Sequence, residues 1–450
     1  MTFDLGIEGG TIVGPDGRRR AHLYVSDGRI AAVTERRQET IQCVDAAGLL
    51  VMPGMVDAHV HLMEPGAPER EDFPTGTAAA ARAGVTTIIE HTHGSPVRTV
   101  ADLRAKVERL RSRSRVDFAL AAHAWPGHED EVGPLWRAGA AFFKVFTCTT
   151  HGVPGHSPAH LWRLFRELAR QRAIALVHCE DESMATLAEE ALRAEGRDDG
   201  GVLPAWRSRE GELVAVVTVG LLARLSGARI VVAHASHPQV VAIVDRERAG
   251  GAAIACETCP QYLCLYEDEA LDHGAFRKFT PPARARSRAD LDAMWGLVSG
   301  RGVDFISTDH APSTGEQKRS GSIWDVPFGL PGIDTTLAVL LDAAHAGRIS
   351  YELVTEIYSR APARIYGLAP AKGSLDPGSD ADVVLIDPEA RWPVSDADIV
   401  SKAGWSPFSG RTLVGRPVAT FLRGSPVARE GTVLGEPGGG RFVAGLGAGP

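Results

Sequence analysis

Two histidines separated by a single residue are the most informative feature of this sequence. His59 and His61 lie in Asp57-Ala58-His59-Val60-His61, directly after the apolar run 49–53. Alternate residues of a strand face the same side, so both imidazoles would project together. Two neutral imidazoles at the end of a strand make half of a divalent-metal site. A lone His-x-His is also compatible with an ordinary strand bearing two polar residues, so ligands elsewhere decide between the readings.

Matching ligand types recur within or just after later apolar runs: Lys144, His178, His234 and Asp309. Lys144 is one of only six lysines, and it lies inside an apolar segment. A bare buried ammonium costs several kcal/mol. Lys144 therefore either extends to the end of its strand or carries a carboxyl group from carbon dioxide, forming a carbamate that bridges two cations.

These residues divide into two ligand sets. His59, His61 and Asp309 suit one ion, His178 and His234 suit a second, and carboxylated Lys144 would bridge them. Two such metal ions would turn a bridging water into hydroxide at neutral pH. Asp309 could bind metal, take the proton of the water and pass it to a leaving nitrogen.

Eight apolar runs alternate with helical stretches, which predicts a (β/α)8 TIM barrel. The runs are 55–60, 85–89, 118–122, 140–146, 174–177, 230–233, 252–255 and 303–306. Apolar residues at a spacing of three to four predict helices over 161–172 and 182–195. Because the active sites of such barrels lie where the strands end, the ligand candidates are expected to meet there.

The sequence pattern is different at both ends of the chain, where short β segments are separated by Asp-Gly and other turn signals. We expect residues 1–53 and 368–440 to form one small β-sandwich domain beside a catalytic barrel of residues 54–367. Residues 441–450, in a Gly-rich terminus, are expected to be a flexible tail.

Bulk composition excludes several classes. The 450 residues carry a formal charge of −8 and are 44% hydrophobic, which gives no case for nucleic acid or a membrane surface. No leader or membrane span is expected. Six cysteines fit a reducing cytoplasm. Cys256 and Cys259 form a solitary Cys-x-x-Cys, which does not favour a structural zinc.

The chain resembles the amidohydrolase superfamily, specifically its cyclic amidohydrolases: hydantoinases or dihydropyrimidinases, allantoinases and dihydroorotases. The matching motifs are Asp57-x-His59-x-His61, Phe143-Lys144-Val145-Phe146, Val177-His178-Cys179-Glu180, Ala233-His234-Ala235-Ser236, Glu257-Thr-Cys-Pro-Gln-Tyr-Leu263, Thr308-Asp309-His310-Ala-Pro312 and Gly373-Ser-Leu-x-Pro-Gly-x-Asp-Ala-Asp382. The resemblance implies a binuclear site, commonly zinc although manganese, cobalt or iron would also serve, with N6-carboxylated Lys144. It implies hydrolytic opening of a small cyclic amide or ureide, and a homodimer or homotetramer.

Different motifs of this chain resemble different branches of that family. Dihydroorotases have an arginine where this chain has Met63, and a thioether cannot pair with a carboxylate, so that activity is disfavoured. Glu64-Pro65-Gly66 resembles allantoinases and dihydroorotases. The segments that resemble hydantoinases are Glu257-Thr-Cys-Pro-Gln261-Tyr, Thr280-Pro-Pro282, Glu316-Gln-Lys318 and 435–443. We expect a ring of the hydantoin or dihydropyrimidine type, with allantoin or another cyclic imide as the alternative.

Four residues are candidate substrate contacts by the same resemblance: His93, Thr149, Thr280 and Phe328. Thr149 occupies the position of a hydantoinase tyrosine, and Thr147, Thr150 or His151 are alternatives. His93 replaces a substrate-binding asparagine of dihydroorotases, although His91 and His93 are equally compatible with two surface histidines. Phe328 falls where hydantoinases present backbone atoms to the ring.

Two rival functions use the same fold. A non-enzymatic scaffold, as in the collapsin-response mediator family, would lack metal ligands, but all six expected ligand positions are filled. A mononuclear deaminase would not need a lysine inside the fourth strand.

Overall fold

The computed structural model describes residues 2–15 and 17–449. Its first strands belong to two β-sheets: β1 Phe3–Glu8, β2 Thr11–Gly14, β3 Gly17–Arg20, β4 His22–Ser26, β5 Arg29–Thr34, β6 Thr40–Asp45 and β7 Leu50–Pro53. Then come the barrel strands β8 Met55–Val60, β9 Val85–Glu90, β10 Asp117–Leu120, β11 Ala122–His123, β12 Phe143–Phe146, β13 Ile174–His178, β14 Arg229–Val232, β15 Ile254–Thr258 and β16 Phe305–Ile306.

The barrel strands pair in parallel and in chain order, from β8 to β10 and from β11 to β16. β10 and β11 are two parts of one barrel strand, since a single residue separates them. A parallel bridge between Val60 and His310 closes the ring, and the His61 N–H donates to the His310 carbonyl at 2.8 Å. The predicted (β/α)8 barrel is confirmed.

Helices cover the outside of the barrel and fill the loops between its strands. They are α1 Phe73–Arg82, α2 Val100–Leu110, α3 Val132–Arg137, α4 Pro158–Gln171, α5 Glu182–Ala194, α6 Val202–Trp206, α7 Arg209–Ser226, α8 Pro238–Ala249, α9 Pro260–Cys264, α10 Glu269–His273, α11 Arg288–Ser299, α12 Gly315–Arg319, α13 Thr336–His345, α14 Tyr351–Thr355 and α15 Ala361–Ile365.

Helix α4 shows why the pattern in the sequence folds this way. Ser157 caps its first turn by accepting the His160 N–H, and a proline occupies the first turn, where its missing N–H is tolerated. The buried residues are Leu161, Leu164, Phe165 and Leu168, a spacing that places one apolar stripe against the barrel.

The last strands return to the N-terminal sheets: β17 Val383–Pro393, β18 Thr412–Leu422, β19 Ser425–Arg429 and β20 Thr432–Val433. β17 pairs with β7, so one seven-stranded sheet has the order β20-β19-β18-β17-β7-β2-β3. The second sheet has the order β5-β4-β1-β6. Between the sheets lies a separate apolar core built from both termini, including Leu5, Ile7, Leu23, Val51, Leu385 and Phe421.

We propose the domain boundaries expected from the sequence, residues 1–53 with 368–440 and residues 54–367. The expected flexible tail, 441–450, is where the structure differs. The Arg441 N–H donates to Asp117, the Val443 N–H donates to the Phe118 carbonyl, and Phe442 packs on Phe118. Backbone pairing to a barrel strand holds this segment, while Pro450 lies outside the described residues.

Candidate metal centre

The six predicted ligands line one cavity at the carboxyl ends of the barrel strands: His59, His61, Lys144, His178, His234 and Asp309. His59 lies in β8, Lys144 lies in β12, and His178 is the last residue of β13. His234 and Asp309 lie just beyond β14 and β16. Parallel strands bring their ends to the same rim of the barrel, which is why residues so far apart in sequence meet.

The first ligand set converges on the Asp309 carboxylate. His59 Nε2 and His61 Nε2 lie 3.1 and 3.3 Å from Asp309 Oδ1. The opposite ring nitrogens are anchored, since His59 Nδ1 donates to Glu257 Oε1 at 2.7 Å and His61 Nδ1 donates to the His91 carbonyl at 3.0 Å. Protons on Nδ1 leave both Nε2 lone pairs directed at the cavity, as ligating histidines require.

The second set is a pair of facing imidazoles. His178 Nδ1 lies 2.9 Å from His234 Nε2. His178 Nε2 donates to Glu180 Oε2 at 2.7 Å, which leaves the lone pair on Nδ1. His234 Nδ1 has no hydrogen-bond partner in the described part of the chain. Two buried nitrogens this close are well placed to share a cation.

Lys144 is the cationic side chain of this cavity. Its side chain is 1% exposed, and Nζ lies 3.1 Å from His59 Nε2. Burial lowers the pKa of Lys144 to about 8, although Asp309 and Glu257 oppose the shift. A larger fraction of this amine is therefore neutral near pH 7 than in an exposed lysine, and the neutral form is the one that reacts with carbon dioxide.

Two of the six candidate ligands have strained backbones. His234 has φ 38° and Asp309 has φ 49°, both in the left-handed region that residues other than glycine rarely adopt. Such conformations persist where the surrounding structure enforces them, and they concentrate at functional sites. Here the strain turns each side chain from the end of its strand into the cavity.

The electrostatics of the cavity fit divalent cations. Burial, followed by the charge of Lys144, lowers the pKa of His59 well below its usual value, and burial followed by His178 does the same for His234. These imidazoles are therefore neutral, as metal ligands must be. Neutral imidazoles, a carboxylate and a lysine able to lose its proton match the donors of a site for two metal ions.

Glu180 organises the far side of the cavity. Besides His178 Nε2, it accepts a hydrogen bond from Thr280 Oγ1 at 2.6 Å, and Arg207 Nη1 lies 3.5 Å away. Burial opposes ionisation, but Arg207 and the hydrogen bonds outweigh it and hold the pKa of Glu180 at about 2. A permanent carboxylate thus fixes the orientation of His178.

The predicted substrate contacts divide into two groups. His93, Thr280 and Phe328 line the same cavity as the candidate ligands. The structure does not bring Thr149 there: it is exposed, and its hydroxyl accepts the Gly155 N–H at 3.3 Å. His151, one of the alternatives to Thr149, lines the cavity and stacks on His93 with ring centroids 4.7 Å apart.

Reasoning from the sequence assigned no role to Glu257 or Glu180, although Glu180 lies two residues beyond His178 and Glu257 lies inside an apolar strand. For His91 the sequence left two interpretations open, a surface histidine or a hydrogen-bond donor to the substrate near the metals. The structure buries His91, and its ring packs against both His59 and His61. Its two nitrogens have no hydrogen-bond partner among the described residues.

A separate acidic group consists of Asp117, Asp380 and Asp382, and the Lys372 ammonium forms ion pairs with all three carboxylates.

Comparison with known proteins agrees with this geometry. The profile of the amidohydrolase family matches residues 50–427, and the chain belongs to that family. It is 32% identical to an L-hydantoinase of Paenarthrobacter aurescens, over 98% of both chains. It is 35% identical to an allantoinase of Rubrobacter xylanophilus, over 98% of this chain and 97% of the relative. A solved L-hydantoinase (dihydropyrimidinase) from Arthrobacter aurescens superposes with a TM-score of 0.94 at 32% identity, covering 98% of this chain and all of that one.

Proposed function

We propose that this amidohydrolase is a binuclear metal-dependent hydrolase that opens a cyclic amide or ureide ring of the hydantoin or dihydropyrimidine type. The observation that carries the proposal is the convergence of His59, His61, Lys144, His178, His234 and Asp309 on one cavity at the barrel mouth. Relatives named as an L-hydantoinase and an allantoinase, similar over almost the whole chain, support the same reaction.

The ligand assignment follows the two sets of side chains. His59, His61 and Asp309 would hold one ion, His178 and His234 the other, and a carboxylated Lys144 would bridge them. In forming the carbamate, neutral Nζ bonds to the carbon of carbon dioxide and one proton leaves to solvent. We propose zinc as the metal, with manganese, cobalt or iron(II) as alternatives, because imidazole and carboxylate suit all of them.

The reaction adds water across the ring amide. Bound cations would polarise the carbonyl and make the attacking water more acidic. Asp309 accepts a proton from that water as its oxygen bonds to the carbonyl carbon. Asp309 then donates the proton to the ring nitrogen as the C–N bond breaks, which gives a free amide or amine end and a carboxylic acid. The acid loses its remaining proton to solvent and becomes a carboxylate.

The walls of the cavity orient the ring. Phe146, Phe279 and Phe328 supply apolar surface that excludes water. We propose that His93 and His151 supply ring nitrogens for hydrogen bonds to the polar edge of the substrate, and that backbone atoms of Thr280 and Phe328 do the same. We propose that His151, rather than Thr149, replaces the hydantoinase tyrosine.

Allantoin is the second candidate substrate, because the allantoinase relative has the higher of the two identities. A turnover screen over hydantoin, dihydrouracil, allantoin and succinimide tests the proposal, using protein reconstituted with zinc, cobalt or manganese plus bicarbonate. We expect at least one ring to open with two metal ions per chain. His178→Ala should lose metal and activity together. No turnover by metal-loaded protein, or two metals retained by His178→Ala, would contradict the proposal.

We also propose a cytoplasmic homodimer or homotetramer. All six cysteines are unpaired, which agrees with a reducing compartment. None of the helices in the described part of the chain is both long and apolar enough to cross a membrane.

A further inference from the structure

A second cavity opens beside the candidate metal centre. The two cavities share His93, His151, Ala311 and Phe328 as walls. A ring held at the metal centre could therefore extend a substituent past His93 and His151 into the neighbouring space. What lines that space decides which substituents it accepts.

Two cations line this second cavity, Arg70 and Lys278. Lys278 Nζ donates to the carbonyls of Ile323 and Trp324, at 2.5 and 3.0 Å. Arg70 Nε donates to the Pro312 carbonyl and Ser313 Oγ, at 3.0 and 3.1 Å. Among the residues that the structure describes, no carboxylate forms an ion pair with either cation.

Some N–H donors of the Arg70 guanidinium are not used in hydrogen bonds to the described residues. It carries five N–H groups, and its Nη2 also donates to the Phe328 carbonyl at 3.2 Å. No residue in the ranges 2–15 and 17–449 accepts a hydrogen bond from Nη1. Asp325 is the one acidic residue of the described chain that lines the cavity, and this exposed side chain accepts the Ser322 hydroxyl at 2.9 Å. Burial lowers the pKa of Lys278 to about 8, and the charge of Asp325 opposes that shift without an ion pair.

From this geometry we infer that the second cavity binds a carboxylate on the substituent of the cyclic amide, with Arg70 as the main partner and Lys278 as the second. The inference rests on the proposed ring-opening function and names the substrate class: rings such as hydantoins that carry a short carboxyalkyl group. The apolar walls Met63, Ala67 and Val326 suit the methylene groups of that arm.

The position of Arg70 explains how a carboxylate could be recognised although residue 63 is not charged. Met63 lies on the cavity wall, and Arg70 enters the cavity from the same loop, seven residues later. A guanidinium pairs with a carboxylate through charge-assisted hydrogen bonds, which are about twice as strong as neutral ones. Partial burial strengthens them further, because less water competes for the charges.

The test compares matched substrates that differ only in charge. Holoenzyme is assayed with 5-carboxymethyl- and 5-(2-carboxyethyl)hydantoin and with the corresponding neutral carboxamides. We expect kcat/KM for at least one carboxylate to exceed that of its carboxamide by roughly tenfold or more. Added salt should raise KM for the carboxylate ring but not for the carboxamide.

Variants of Arg70 localise the effect. Arg70→Gln should reduce the carboxylate-to-carboxamide ratio to near one, Arg70→Lys should keep part of it, and the exposed control Arg163→Gln should leave it unchanged. Because both substrates share one ring, a general disturbance of the loop cancels in the ratio.

The outcomes separate this inference from the proposed function. A wild-type ratio at or below one, or a ratio unaffected by Arg70→Gln, would overturn the carboxylate site even if neutral hydantoins are opened. If Arg70→Gln fails to fold, the wild-type ratio and its salt dependence still decide. Failure to open any ring, charged or neutral, counts against the proposed function instead.

Discussion

The side chain of Lys144 is almost fully buried, and its amine faces a histidine nitrogen at 3.1 Å. An uncompensated ammonium is costly in such a place, whereas a carbamate would be neutralised by cations. We therefore expect Lys144→Ala to lose roughly 100-fold or more in turnover and part of its metal. Short carboxylic acids should partly restore activity by occupying the bridging position. Metal analysis and kcat/KM, with Lys402→Ala as a lysine control, check this; full activity in Lys144→Ala would contradict the bridging role.

Because carbon dioxide adds only to the neutral amine, the lowered pKa of Lys144 makes the rate of its carboxylation depend on pH. Below the folded pKa of about 8 the amine is mainly protonated and cannot add carbon dioxide. Reactivation of metal-free protein by zinc, at a fixed concentration of dissolved carbon dioxide, should accelerate as the pH rises through about 8. A rate that stays flat or falls across that range would count against carboxylation of Lys144.

Asp309 lies beside both imidazoles of the first ligand set, and at 14% its side chain is more exposed than theirs. Asp309→Asn keeps the size and one oxygen donor but cannot carry a proton. We expect this variant to retain some metal and to lose about 100-fold or more in turnover, the usual scale for removing general acid–base help. Wild-type activity should decline on the acid side of its pH profile. Turnover within a few-fold of wild type, with both metals bound, would exclude the shuttle role.

At the scale of elements, the barrel strands were predictable because parallel strands buried on both faces are continuous apolar runs. The run 55–60 coincides with β8, while β12 begins three residues later than predicted, at Phe143. The candidate ligands followed from the same runs, since each lies in a strand or just beyond it. The conformation of the loops did not follow: Thr149 is exposed outside the cavity and His151 lines it, in a loop where the Thr149 N–H donates to Glu182, 33 residues away.

The loop 320–328 illustrates such long-range determination and yields a prediction. Lys318, in α12, is buried, and its Nζ donates to the carbonyls of Lys278 and Pro327 at 3.2 and 2.9 Å. Lys318→Met preserves the stem of the side chain but leaves the Pro327 carbonyl without its donor, at a cost of about 1–3 kcal/mol if that carbonyl stays buried. The Lys278 carbonyl loses one donor and keeps the Gly329 N–H at 2.9 Å. We expect the loop to loosen.

Limited proteolysis measures that loosening. Chymotrypsin should cleave after Trp324 or Phe328 faster in Lys318→Met than in wild type, and KM for the ring substrate should rise. Lys402→Met, a lysine on another segment, serves as the control. Unchanged cleavage of Lys318→Met would show that the loop holds its conformation without these two hydrogen bonds.

At the scale of the whole molecule, helix α7 carries an apolar stripe that faces solvent. Val214, Val217, Leu221 and Leu225 are 38–60% exposed and follow the three-to-four spacing of one helix face. Two such stripes are self-complementary in an antiparallel pair, which is the arrangement a twofold axis produces. This face therefore suits contact between two copies of the chain, as in the proposed homo-oligomer.

We expect light scattering after gel filtration to give a dimer or tetramer for the wild-type protein. Leu221→Glu would bury a charge at the centre of the stripe and should shift the population to a smaller species. The exposed Leu187 on α5 offers a matched control, because Leu187→Glu places the same charge on a different helix. A monomeric wild-type protein would refute the oligomer. If Leu221→Glu kept the wild-type mass at low protein concentration, the interface would have to lie on another face.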